Sequence, residues 1–162
     1  GLMFHQVFII GQKGWSLEML ASAFIFLGIF SIIGLIFGGP IIDKYSTKKV
    51  IITTLVPLFL ANLILIFFDN YIFIFIYMSL LGINLGISAP FLGSLWAELY
   101  GLESIGTVKA LLHACGVFAS ALSPVIFGYM IDFGLGIIFL GMMSLVIILV
   151  STALPLIYNN IE

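Results

Sequence analysis

Charge is what this sequence lacks most. Only 7% of its 162 residues are Asp, Glu, Lys or Arg, whereas a soluble globular protein has about 25%. The five basic residues are all lysines and the net charge is −2, which leaves no basic face for a nucleic-acid backbone. The single cysteine, Cys115, excludes an internal disulfide framework and a cysteine-rich metal site. These shortages exclude nucleic-acid-binding proteins and small disulfide-stabilised proteins.

Apolar residues are what the chain has in abundance. They make up 63% of it, and the mean hydropathy is +1.35. A soluble domain of this size could not hide so much apolar surface, whereas a bilayer accepts one helix for every 20 or so apolar residues. The sequence therefore predicts an all-α polytopic membrane protein with one transmembrane domain over residues 1–162. We expect six helical segments, at about 1–10, 17–39, 50–68, 71–96, 106–130 and 135–157.

The first apolar segment is too short to cross a bilayer. It has no basic region before it and no small-residue cleavage site after it, so it is not a signal peptide. We interpret it as the truncated end of a helix that begins upstream, and we expect the chain to be part of a longer protein.

The lysines indicate how the segments are oriented. Because short turns make successive segments alternate in direction, Lys44, Lys48, Lys49 and Lys109 fall on one side and Lys13 on the other. The positive-inside rule makes the side with four lysines cytoplasmic. The segment 39–49 and the C-terminal tail are then predicted to be cytoplasmic.

Small residues recur at every fourth position in three segments, which is typical of close helix packing in membranes. In the second segment they are Gly34 and Gly38. The residues that we expect to pack in the fourth and fifth segments are Gly82, Gly86, Gly116, Ser120, Pro124 and Gly128.

A short pattern, Gly-x-x-Ile-Asp, occurs twice. It closes the second segment at 39–43 and the fifth at 128–132. A shift of three segments reverses the direction of the chain. The pattern therefore indicates an inverted repeat of three plus three helices.

The stretch between the second and third segments carries a recognisable spacing. Gly39-x-x-x-Asp43-Lys44-x-Ser46-x-Lys48-Lys49 resembles the cytoplasmic loop motif of the major facilitator superfamily. That motif has Gly, three residues, Asp, a basic residue, any residue, Gly or Ser, any residue and two basic residues. The ending Pro124-x-x-x-Gly128-x-x-x-Asp132 of the fifth segment is also common in the family. The resemblance covers essentially the whole chain.

Three features assign the chain to the C-terminal half of such a protein. The fourth segment lacks the Arg expected in the N-terminal half, a polar tail follows the sixth segment, and 5–18 resembles the seventh helix and its loop in bacterial members. The resemblance implies a six-helix bundle half, spans seven to twelve, with a truncated first helix. It also implies a missing N-terminal half as partner and a bacterial inner membrane as location.

The resemblance implies a gate at the loop motif, in which Asp43 caps or pairs at a helix end. We expect Lys44, Lys48 or Lys49 to pair with Glu98 at the cytoplasmic end of the fourth segment. The alternative is a solvated run of charge that only fixes the topology.

Six polar residues are candidates for a substrate cavity. His5 and Gln6 lie on the first segment, and Asn84 and Ser88 on the fourth; these helices line the cavity in the family. Lys109 and His113 are one turn apart and share a helix face, where they could hold an anion. For each residue the alternative is a structural role, such as helix packing or, for Lys109, snorkelling to the interface.

These features predict secondary active transport of a small solute by alternating access, coupled to an ion or solute gradient. An organic anion is the candidate substrate and a proton the candidate coupling ion; symport, antiport and uniport stay open. The sequence has no phosphate-binding loop, no His-Glu-x-x-His and no Gly-x-Ser-x-Gly, so we expect no enzyme activity, cofactor or metal. The alternative is a non-transporting membrane protein or an inactive fragment on the same scaffold.

Overall fold

The computed structural model describes residues 1–45, 47–101, 103 and 105–159, with side chains at all of these except 47–49, 51, 52, 99 and 154–159. In this part of the chain all regular secondary structure is helical, which confirms the predicted fold class. A short 3-10 helix, Leu2–Phe4, comes first. Six α-helices follow: α1 Gln6–Lys13, α2 Leu17–Lys44, α3 Thr47–Phe67, α4 Phe73–Tyr100, α5 Ile105–Asp132 and α6 Ile137–Asn159.

Three of the helices described are long and apolar enough to cross a membrane. They are Leu17–Lys44, Phe73–Glu98 and Ile105–Asp132, with mean hydropathies of 2.6, 1.7 and 1.8 over their best windows. Two shorter apolar stretches, Thr53–Phe67 and Ile137–Ala153, belong to α3 and α6. At 8 residues, α1 rises only about 12 Å.

The helix α2 runs further than the sequence suggests. It continues through Gly39 and Pro40 to Lys44, and Tyr45 ends it in an extended conformation (φ −120°, ψ 142°). A proline is tolerated in a membrane helix because neighbouring helices compensate for its missing N–H. Most of the stretch predicted as a loop at 39–49 is therefore helical, and α3 already begins at Thr47.

The closest packing is between α2 and α4, where glycines bring the two backbones together. A Cβ added at Gly34 would lie 2.6 Å from the carbonyl oxygen of Ile83, and one at Gly38 would lie 3.2 Å from the Cα of Ile87. From the other side, Gly82 and Gly86 face the backbone of α2 in the same way. Helices in a membrane associate through such van der Waals contact.

The main apolar cluster joins α1, α3 and α4 with the start of α2 and the start of α6. Its fully buried side chains include Ile9, Leu65, Ile74, Tyr77 and Met78. On α6, Gly141 packs against Ile66 of α3. By contrast, α5 is largely exposed, and Phe127 is its one described buried side chain. An exposed helix that is largely apolar, such as α5, is suited to contact with lipid or with another helical unit.

A second, smaller cluster lies at the opposite end of α2. Ile42 at the end of α2, Val50 at the start of α3 and Phe91 on α4 are buried together, with Ile41 and Leu95 against them. This cluster brings the stretch with the sequence motif close to the last turns of α4.

Candidate functional site

A cavity of about 690 Å³ lies between α4 and α5. Small residues on both helices, such as Gly93 and Gly116, leave room for it, since nothing lies within 4 Å of a Cβ added at either position. Its lining consists of Ala89, Leu92, Gly93, Trp96, Lys109, Leu112, His113, Gly116, Val117 and Ser120.

Two basic side chains enter this cavity from the same helix. Lys109 and His113 are one turn apart on α5, and both are exposed. Across from them, Trp96 of α4 contributes an aromatic wall, and most of the remaining lining is apolar. An ammonium group and an imidazole set in an apolar wall suit a small molecule with an anionic group.

His5 and Gln6 lie away from this cavity, near the start of α1. The Nδ1 atom of His5 is 3.0 Å from the carbonyl oxygen of Gly1, and its ring stacks on Phe127 with centroids 6.3 Å apart. Gln6 is buried, and its Nε2 donates a hydrogen bond of 3.0 Å to the phenol oxygen of Tyr77. Its Oε1 atom is buried without a hydrogen-bond partner among the described residues.

Asn84 and Ser88 also lie outside the lining of the α4–α5 cavity. The Nδ2 of Asn84 donates to the carbonyl oxygen of Thr54 on α3, at 2.7 Å. The hydroxyl of Ser88 donates to the carbonyl oxygen of Asn84, at 2.6 Å. The cavity thus contains Lys109 and His113 of the six predicted candidates, and the other four bind backbone or side chains within the bundle.

The residues of the loop motif sit at a helix end. Asp43 and Lys44 occupy the last turn of α2 with exposed side chains, and the Nζ of Lys44 lies 5.6 Å from the centre of the Tyr45 ring. A Cβ at Gly39 would have open space around it. Ser46 and the side chains of Lys48 and Lys49 are outside the described residues. Glu98 lies in the last turns of α4 and is exposed. Because the side chains of Lys48 and Lys49 are not described, its predicted pairing with a lysine stays a prediction.

The residues expected to pack through small faces divide into two groups. Gly82 and Gly86 lie against the backbone of α2. Gly116 and Ser120 instead line the cavity, because α5 stands away from α4 at this level. Further along α5, Pro124 is half-buried, and a Cβ at Gly128 would lie 3.9 Å from the Nε2 of His5.

The sequence analysis missed two features of the structure. One is Trp96, whose aromatic ring forms part of the cavity wall. The other is the contact of Lys13 and Trp15 with Asp69. The position of Lys13, as the one lysine predicted for its side of the membrane, could have drawn attention to it. Among the residues described, no three His, Cys, Asp or Glu side chains come together as a metal site.

A sequence model of the Major Facilitator Superfamily matches residues 1–160. The chain belongs to the Major Facilitator Superfamily. Members of this family are membrane-embedded transporters of small molecules, so the predicted family, the membrane location and the general role in transport are confirmed. The length of 162 residues is consistent with a six-helix half of the superfamily fold. Comparison with curated proteins and with solved structures found no match.

Proposed function

We propose that this member of the Major Facilitator Superfamily is a secondary active carrier that moves a small organic anion by alternating access. The observation that supports it is the position of Lys109 and His113, which line one apolar cavity together. A carrier must bind its solute reversibly. An exposed pair of basic groups provides attraction without the large desolvation penalty of a deeply buried charge.

The dimensions and the lining of the cavity fit a small solute. Its volume of about 690 Å³ lies within the range of about 300 to 1,000 Å³ common for small-molecule sites. Lys109 contributes a charged donor, His113 a second polar group, and Trp96 a flat apolar surface. In this proposal His5, Gln6, Asn84 and Ser88 have supporting roles on α1 and α4, the helices expected to line the transport path.

The gate of the carrier is proposed at the end of α2. Burial of Ile42 and Val50 against Phe91, with Leu95 nearby, supports this proposal. Ile42 precedes Asp43, Val50 follows Lys49, and Leu95 is one turn before Glu98. A pairing of Lys44, Lys48 or Lys49 with Glu98 would close this end of the bundle in one state and open it in the other.

The proposed carrier is completed by an N-terminal half with six further helices. The distribution of the lysines supports an orientation with 39–49 and the C-terminus in the cytoplasm, and the family resemblance supports the inner membrane of a bacterium. An ion or solute gradient drives transport, by symport or antiport, and a proton is the candidate coupling ion.

Uptake by proteoliposomes that contain the complete gene product tests the proposal. The panel consists of radiolabelled mono- and dicarboxylates and matched neutral amides, and each is assayed with and without an imposed pH gradient. We expect saturable uptake of at least one carboxylate and none of its amide. Uptake of the amides alone would overturn the anionic substrate, and uptake equal to that of empty vesicles for the whole panel would overturn carrier function for these solutes.

A further inference from the structure

Three residues join two separate connections at one end of the bundle. Lys13 is the last residue of α1, Trp15 lies in the α1–α2 loop, and Asp69 lies in the turn between α3 and α4. The Nζ of Lys13 is 2.6 Å from Oδ1 of Asp69, and the Nε1 of Trp15 donates to the carbonyl oxygen of Asp69 at 2.7 Å. Asp69 is therefore held twice, once by its side chain and once by its backbone.

The burial of the three residues is uneven. The side chain of Lys13 is only 3% exposed and that of Asp69 is 81% exposed, and Trp15 is 6% exposed. If the contact opened, the carboxylate of Asp69 would stay hydrated, whereas the ammonium of Lys13 would be left buried without this partner. A buried charge that loses its partner is strongly unfavourable, so the closed arrangement is favoured chiefly by Lys13.

Both sides of the contact are braced locally. Gly14 ends α1 in the left-handed conformation (φ 68°), and the amide of Trp15 donates to the carbonyl oxygen of Ile10 at 2.9 Å. In the facing turn, Oδ1 of Asn70 accepts a hydrogen bond of 3.0 Å from the amide of Ile72. The contact thus joins two ordered turns.

A second connection ties α1 to α4 deeper in the bundle, through the hydrogen bond from Gln6 to Tyr77. Gln6 and Lys13 are the first and last residues of α1, about 10 Å apart along its axis. Two attachments at this separation fix both the position and the direction of α1 against its neighbours. A single attachment would still allow the helix to tilt.

We propose that Lys13, Trp15 and Asp69 form a clasp that keeps α1 fixed to helices α2, α3 and α4 in every state of the protein. These residues are positioning residues and do not contact the solute. The part of the proposal that concerns the transport cycle rests on the proposed carrier function. The clasp would let this end of the bundle move as one rigid body.

Thermal unfolding of the complete gene product in detergent tests the clasp without any solute. Asp69→Asn should lower the melting temperature by about 5 °C or more, because it leaves the ammonium of Lys13 unpaired. Adding Lys13→Met to Asp69→Asn should recover most of this loss, since the buried charge is then gone. Asp132→Asn, at an exposed acid at the end of α5, is the matched control and should change little. The clasp is overturned if Asp69→Asn melts like the control.

Cross-linking tests whether the clasp stays closed during transport. Lys13→Cys and Asp69→Cys are combined with Cys115→Ser and joined by a short bifunctional thiosulfonate, and the link is verified by mass spectrometry. We expect the cross-linked protein to keep at least about half of the uptake rate of the same variant before linking. Uptake that is abolished by the link and restored by reduction would overturn the proposal. If neither form takes up any solute, the proposed function is at fault, and the melting experiment still decides the clasp.

Discussion

Gly86 on α4 lies so close to Ser31 on α2 that a Cβ at Gly86 would overlap the carbonyl oxygen of Ser31. Gly82 has the same relationship with the carbonyl oxygen of Leu27, one turn away. The helices α2 and α4 thus meet backbone to backbone. In lipid, where apolar side chains gain little by leaving the solvent, this contact distance determines how strongly the two helices associate.

The first prediction concerns this contact. Gly86→Ala and Gly34→Ala should each lower the free energy of unfolding by about 1 to 3 kcal/mol, because the added methyl group forces the helices apart. Thermal or denaturant unfolding in detergent measures the effect. Gly28→Ala on α2 is the control and should not destabilise the protein. Nothing lies within 4 Å of a Cβ added at this position, and alanine forms helices better than glycine by about 1 kcal/mol. Equal effects at Gly34 and Gly28 would contradict the packing argument.

The second prediction concerns the buried hydrogen bond from Gln6 to Tyr77. Tyr77→Phe removes the acceptor of the Gln6 amide and should cost about 1 kcal/mol of stability. The double variant with Gln6→Leu should show a coupling of about 0.6 kcal/mol, the average found for such bonds in a membrane protein, and at most about 1.7 kcal/mol. Ser22→Ala is the control, since the Ser22 hydroxyl donates within its own helix, to the carbonyl oxygen of Glu18. Strict additivity of the two changes would show that the bond contributes nothing.

The third prediction concerns the basic pair in the α4–α5 cavity. Lys109→Gln and His113→Gln should each raise the KM for the anionic solute about tenfold or more, since a hydrogen bond to a charged group contributes about 1.5 to 3 kcal/mol. The maximal rate should change less, because the interaction binds the solute in the ground state. Initial uptake rates over a range of solute concentrations measure both constants.

Two further variants control this experiment. Lys109→Arg keeps the charge and should keep much of the affinity. Cys115→Ser, at an exposed residue of α5 that does not line the cavity, should leave KM unchanged. If both Gln variants keep the parental KM, Lys109 only extends towards the membrane surface and the anion site lies elsewhere.

The fourth prediction concerns the gate. Glu98→Lys should reduce uptake about tenfold or more, because it would place a cation opposite the lysines with which Glu98 is proposed to pair. Adding Lys44→Glu, Lys48→Glu or Lys49→Glu to Glu98→Lys again gives the proposed pair opposite charges. We expect this second change to rescue uptake at one of the three positions and not at the others. Uptake by each double variant, normalised to the amount of protein in the membrane, provides the measurement.

The exposed acid Glu103, between α4 and α5, provides the matched control for the gate. Glu103→Lys adds the same charge without affecting the proposed pairing, so its uptake should stay near the parental rate. Failure of all three lysine reversals to rescue Glu98→Lys would mean that the charged stretch fixes topology only.

Much of the fold could be predicted because the bilayer leaves few alternatives. Apolar runs in lipid must form helices to satisfy their backbone, so the number and the approximate positions of the helices follow from the runs themselves. The residues at which the helices end were harder to predict. Gly39 and Pro40 indicate a helix end in a soluble protein, but α2 continues to Lys44, since a proline is tolerated inside a membrane helix.

The candidate site could be predicted only in part. Lys109 and His113 are four residues apart on one helix, so their shared face follows from helical geometry. Trp96 lines the same cavity from another helix, and the period of neither helix indicates that the three residues share it. For the same reason, the small residues at Gly82 and Gly116 look alike in the sequence, although the first packs against α2 and the second borders a cavity.

The sequence by itself determined that the chain is a membrane protein of six helical segments and, through its Gly39–Lys49 motif, to which family it belongs, since composition and spacing are properties of the chain alone. Only the tertiary structure decided which small faces pack, which polar side chains border the α4–α5 cavity and that Lys13 is buried against Asp69. Those properties depend on the rotation and separation of one helix relative to another. Contacts between helices set these quantities, and in the Lys13–Asp69 contact the two residues that supply them are 56 positions apart in the chain.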